Sequence, residues 1–162
     1  MHNCFKTRSF SILLVREMGQ EKRFEFLEHT ADAYVAAYGK DLAEAFENAA
    51  LAMFEVMTDT KKVGTRVVDR VEVEAEDEQA LLYSWLEALL VKFDTIGILY
   101  SKFKIQSLST VAKGFALKAK IWGESFKLEK HLQKVGVKAI TYHRMEIVKK
   151  PEKVTLKFIL DI

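Results

Sequence analysis

The amino-acid sequence predicts an α+β fold, with two helices packed on a mostly antiparallel sheet. Three observations carry that expectation. Two segments place apolar residues at helical spacing behind a good N-cap. Several others alternate apolar and polar residues with the period of a half-buried strand. After Gly97 the strand-like segments follow one another with no helix between them, which favours antiparallel neighbours.

From Phe24 two short strand-like runs come first, separated by the polar cluster His29, Thr30 and Asp32 in LEHTADAYVAAYG. Asp41 then opens a helix, with Glu44 in capping-box register. Leu42, Ala45, Phe46, Ala49, Met53 and Val56 form one apolar stripe, and the helix ends near Thr58 and Asp59. Val67, Val71, Val73 and Ala75 alternate with Asp69, Glu72 and Glu74, as in a strand with one wet face. Asp77 caps a second helix over residues 78–94. Leu81, Leu82, Trp85, Leu86, Leu89, Leu90 and Phe93 give it an apolar face wide enough to be sandwiched between other elements.

The remainder reads as strands. One runs from Ile98 to Ile105, and a second carries Phe115, Leu117, Ala119 and Ile121 against Lys118 and Lys120. Glu124 to Gly136 has neither period and reads as a loop containing His131. Ala139 to Val148 is a third strand, and Pro151 marks the turn into a fourth, whose Val154, Leu156, Phe158 and Leu160 share a face. Each half of the chain has a helix followed by strands. A duplicated unit would fit that order, but residue identities do not reveal one.

With 162 residues, the chain is long enough for one domain with a full core. Residues 21–162 read as that domain and residues 1–20 as an N-terminal extension, its first 17 residues read as a translated stretch upstream of a start at Met18. Lys6 and Arg8 ahead of Phe10–Val15 look superficially like a signal peptide. The apolar run is shorter than the usual ~7–15 residues, and no A-x-A-like site follows. No apolar run approaches the ~18–20 residues that span a bilayer, so no membrane partner is expected. Cys4 is the only cysteine, which excludes an intramolecular disulfide and a cysteine-based zinc site and fits a cytoplasmic setting.

A net charge of +2 is too small to argue for a nucleic-acid footprint over the whole chain. Aromatic residues Phe103, Phe115, Trp122 and Phe126, interleaved with Lys102, Lys104, Lys118 and Lys120, have the ingredients of a stacking platform for single-stranded RNA. Alternation puts Phe115 and Lys118 on opposite faces, so the pattern reads instead as a core face and a solvated face. No Ser-His-Asp order, HExxH, CxxC or glycine-rich phosphate loop is present, and no nucleophile arrangement points to an enzyme.

The last strand offers one chemical clue. If Leu156, Phe158 and Leu160 face the core, then Thr155, Lys157, Ile159 and Asp161 face away. Asp161, Ile162 and the terminal carboxylate supply hard oxygens, and Asp32 could add another. An all-oxygen set suits Ca²⁺ or Mg²⁺ rather than zinc. From spacing alone, the plainer reading is a turn aspartate and a solvated terminal one. His143 shares strand parity with Ala139 and Thr141, and a lone strand histidine is more often a hydrogen-bonded surface residue than a ligand.

Taken together, LEHTADAYVAAYG, AFENAALAMFEVM, LLYSWLEALLVKFD, VKAITYH and the closing ILDI resemble the archease family, from about Phe24 to Ile162. The resemblance implies strand-helix-strand-strand units, the second inserted in the first. It implies a non-enzymatic accessory protein of tRNA splicing that acts on an RtcB-type RNA ligase, promoting guanylylation and multiple turnover and broadening its nucleotide use. It further implies a metal site at Asp32, Asp161 and Ile162, with calcium the first expectation and magnesium or manganese the alternatives. His29, Lys138, Thr141 and His143 become second-rank site residues, the last three from the KAxTYH motif. The alternative role in the family is a chaperone-like or RNA-binding partner of a tRNA methyltransferase, with tRNA reached through the complex. HTADAYV departs from the usual HTADIG-like continuation at Ala33 and Tyr34 without touching Asp32.

Overall fold

The computed structural model describes residues 21–162; the extension read in residues 1–20 lies outside them. Seven strands and two α-helices follow in the order β1 (Phe24–Leu27), β2 (Ala33–Gly39), α1 (Leu42–Met57), β3 (Val67–Ala75), α2 (Glu78–Ile96), β4 (Ile98–Val111), β5 (Gly114–Ser125), β6 (Ala139–Lys150) and β7 (Lys153–Asp161). The α+β expectation holds, with one difference. The strands form two antiparallel sheets rather than one: a four-stranded sheet ordered β1-β2-β7-β6 and a three-stranded sheet ordered β3-β5-β4.

The two sheets repeat one plan. β2-α1-β6-β7 and β3-α2-β4-β5 are each a strand, a helix and a hairpin, and in each the first strand pairs with the third. The second unit is inserted between α1 and β6 of the first. Alternation cannot show this, because it fixes which face of a strand is buried but not which neighbour it takes.

Both helices start where their caps predict. The Asp41 carboxylate accepts from the Glu44 N–H at 2.8 Å and the Asp77 carboxylate from the Ala80 N–H at 2.7 Å, each satisfying a donor left over at the helix start. α2 runs on to Ile96 and stops at Gly97, whose φ of 66° is the left-handed conformation of a glycine C-cap. As predicted, α2 is sandwiched, packing on β3 of one sheet and β6 of the other. α1 exceeds its single stripe. Every residue from Ala49 to Phe54 is buried, because α1 also lies between sheets, against β2 and β4. The Trp85 indole N–H donates to the Phe46 carbonyl at 3.0 Å and ties the helices together.

Within β7, Val154, Leu156, Phe158 and Leu160 are buried as expected. Ile159, assigned to the wet face, is buried as well, flanked in the ladders by Tyr34 and Thr141. β4 and β5 are longer than their patterns, and Glu124 and Ser125 belong to β5 rather than to the loop.

Candidate metal centre

The β2–β7 ladder runs in unbroken register from Gly39 opposite Val154 to Ala33 opposite Leu160. Each strand continues one residue past that last pair, to Asp32 in the bend before β2 and to Asp161, the last residue of β7. On the other flank of β7, Ala139 of β6 lies opposite Asp161, and the Lys138 N–H donates to the Asp161 carbonyl at 2.7 Å. The β1–β2 loop, the start of β6 and the end of β7 thus meet at one end of the four-stranded sheet. Asp32 comes there from near the start of the domain, Lys138 from the approach to β6, and Asp161 and Ile162 from the domain's end, with His29 on the same loop as Asp32.

Burial within this group is uneven. Asp161 and Lys138 are exposed, Asp32 is half-buried, and Ile162 is half-buried with its side chain against the core. His29 stands edge-to-face on Tyr34, ring centroids 6.0 Å apart, and its buried Nδ1 has no hydrogen-bond partner. A buried polar atom without a partner costs free energy unless something supplies one. Among the described residues no three His, Cys, Asp or Glu side chains gather as a metal cluster. A cation at this sheet end would therefore take two carboxylates, from Asp32 and Asp161, and draw its other donors from main-chain oxygen such as that of Ile162. That donor set is all hard oxygen, which fits calcium or magnesium in kind and does not fit zinc.

Thr141 keeps its parity with Ala139, but His143 does not. β6 pairs with β7 through Thr141 opposite Ile159 and resumes only at Glu146 opposite Lys157, so residues 142–145 bulge out of the ladder. Arg144 takes a φ of 56° within this bulge, and the His143 N–H donates back to the Thr141 hydroxyl at 3.1 Å. The bulge cancels the alternation that aligned His143 with Ala139, and His143 projects into solvent. Tyr142 instead lies flat on Tyr83 of α2, centroids 4.5 Å apart.

A second polar centre had no signal beyond a lone histidine in a loop. His131 is buried; its Nδ1 accepts from the Lys127 N–H at 2.9 Å, which leaves Nε2 to donate to Glu124 at 2.8 Å. Glu124 also accepts from the Gly64 N–H at 2.9 Å and from Lys130 at 2.6 Å. These donors, led by the Gly64 N–H, hold its carboxyl down at about 2. The cluster pins the loop after β5 and is distant in sequence from every candidate ligand. A cavity of about 360 Å³, lined by Arg23, Glu25, Tyr38, Asn48 and Lys153, opens at the other end of β2 and is likewise separate from the sheet end that carries Asp32.

Comparison with known proteins decides the family. The profile of the archease protein family matches residues 24–162. The chain belongs to the archease family. A protein archease from Sulfurisphaera tokodaii is 47% identical over 141 residues, covering 87% of this chain and 99% of its own. One from Methanothermobacter thermautotrophicus is 48% identical with the same coverage. The solution structure of Methanobacterium thermoautotrophicum protein 1598 superposes with a TM-score of 0.77 at 48% identity, over 88% of this chain and all of that one. An archease crystal structure from Thermotoga maritima, 16% identical, shares the fold with a TM-score of 0.57, over 88% of this chain and 99% of its own. The two helices on antiparallel sheets are thus the archease fold, and family membership carries a general archease-type role.

Proposed function

We propose that this archease-family chain is a non-catalytic activator of an RtcB-type RNA ligase in the cytoplasm, promoting the ligase's guanylylation and multiple turnover through a divalent-cation site at Asp32, Asp161 and Ile162. The observation that supports this reading is the β2–β7 register, which brings two carboxylates far apart in sequence to one sheet end. Asp32 and Asp161 would hold the ion, with calcium the first choice, and the Ile162 main-chain oxygen would complete the set. When bound, such an ion supplies positive charge that offsets charge developing on phosphoryl oxygens.

The protein's own residues set the rest. Lys138, anchored through its N–H to the Asp161 carbonyl, is exposed at the same sheet end, and its ammonium would engage a phosphate of the nucleotide or of the RNA end. Thr141 fixes the start of the β6 bulge by accepting from His143. Exposure of Asp161 and Lys138 leaves this sheet end open to a docking partner.

The test is a ligation time course with RNA in excess over ligase. The unaltered chain should convert a single-turnover burst into continued product formation. Asp32→Ala and Asp161→Ala should fold normally and leave only the burst. Full stimulation by both variants would overturn the reading.

A further inference from the structure

We propose that the outer face of the three-stranded sheet is a binding surface for single-stranded nucleic acid. Both helices lie on the inner face of this sheet, and its outer residues Val68, Arg70, Lys102, Lys104 and Lys118 are exposed. Strand register arranges this face in rows. Val68, Trp122 and Lys102 form one; Arg70, Lys120 and Lys104 form the next, three cations abreast on three adjacent strands. Neighbouring strands are ~4.8 Å apart, and like charges directly opposite one another destabilise a sheet. Among the described residues, the row has one carboxylate within salt-bridge reach, Glu47 at 3.8 Å from Lys104. Glu72 and Glu74 lie further along β3, with Glu72 opposite Lys118. Two of the three cations, Arg70 and Lys120, have no carboxylate in salt-bridge reach among the described residues, and such a surplus of positive charge suits an anionic ligand.

Trp122 selects the kind of anion. Its indole lies on the cationic face, not in the core, with the Lys102 ammonium 4.6 Å and the Lys120 ammonium 5.4 Å from its ring centre. The expected split into a core aromatic face and a solvated lysine face therefore holds for Phe103 but not for Trp122. A strand of nucleic acid offers phosphates to the row of three cations and an unstacked base to the indole, which the two lysines uncover as they turn to phosphate. A duplex has phosphates but no free base, and an acidic protein surface lacks the base as well. The small net charge is no obstacle, since binding follows local clustering rather than the total.

The experiment is a tryptophan-fluorescence titration of the whole chain with a short single-stranded oligoribonucleotide across a salt series, with DNA and duplex RNA of equal length as comparison arms. Trp85, the other tryptophan, is fully buried, so quenching reports Trp122. Quenching by the single strands, weaker for the duplex, is expected. Arg70→Ala/Lys104→Ala/Lys120→Ala should weaken binding at least ~10-fold and lower the slope of log affinity against log salt by about 2, as loss of three phosphate contacts requires. Trp122→Leu, followed by anisotropy of a labelled strand, should weaken binding and keep the slope. Lys150→Ala on the other sheet should do neither. Circular dichroism confirms that each variant is folded. Absence of quenching, equal binding by the triple variant, or equal affinity for duplex would overturn the proposal. So would a triple variant whose only defect is lost ligase stimulation, since the face would then dock protein. No ligase enters the titration, so its failure leaves the activator reading untouched.

Discussion

At Glu124 one carboxylate takes three donors from two parts of the chain, Gly64 and the Lys130–His131 turn, and its ionised form holds them together. Its carboxyl sits at about 2, below the ordinary 4.5. The ionised form therefore contributes stability that is present above about pH 4.5 and is lost as pH falls toward about 2. Glu124→Gln should remove part of this dependence, so its melting temperature should change less than that of the unaltered chain between about pH 5 and about pH 2.5. Parallel acid limbs in a thermal-melt series would contradict this. Gly123, the preceding residue, is constrained by space alone. A Cβ there would lie 1.9 Å from the Leu99 carbonyl oxygen, so Gly123→Ala should cost about 1–3 kcal/mol or more in urea unfolding. Neither role was legible in the sequence. A histidine, a glutamate and a glycine each have several structural uses; the turn at residues 127–131 folds His131 back onto Glu124, and the β4–β5 register sets Gly123 against Leu99. Asp161 was partly legible, because strand parity put it off the core.

Single elements were read most reliably where chemistry acts within a few residues. Asp41 and Asp77 announced their helices because an N-cap bond spans three positions. Asp77→Ala should destabilise the fold by about 1 kcal/mol, measured by thermal or denaturant unfolding. α2 also carries a prediction about its setting. Because Leu86 is fully buried in a helix that packs on both sheets, Leu86→Ala should cost about 2–5 kcal/mol, more than a helix with one wet face would lose. A loss below about 1 kcal/mol would mean that α2 is not sandwiched. The β6 bulge marks the limit of pattern reading. Its alternation looks continuous through Tyr142 and His143, yet the inserted residues shift everything beyond them, and His143 lies in the bulge outside the ladder.

Over the whole molecule, the decisive fact is that an inserted unit leaves the first unit's β2 and β7 adjacent despite more than a hundred residues between them. Periodicity could suggest two similar halves but not this pairing, since ladder partners follow from topology. The same arrangement separates two surfaces: a sheet end with Asp32, Asp161 and Lys138, and a cationic outer face around Trp122 on the other sheet. The most direct test of the central claim is a calorimetric titration of calcium, then magnesium, into the unaltered chain, Asp32→Asn and Asp161→Asn. The account predicts one ion bound per unaltered chain and a large loss of affinity in either variant, with the fold intact by circular dichroism. Equal affinity in all three proteins would contradict it.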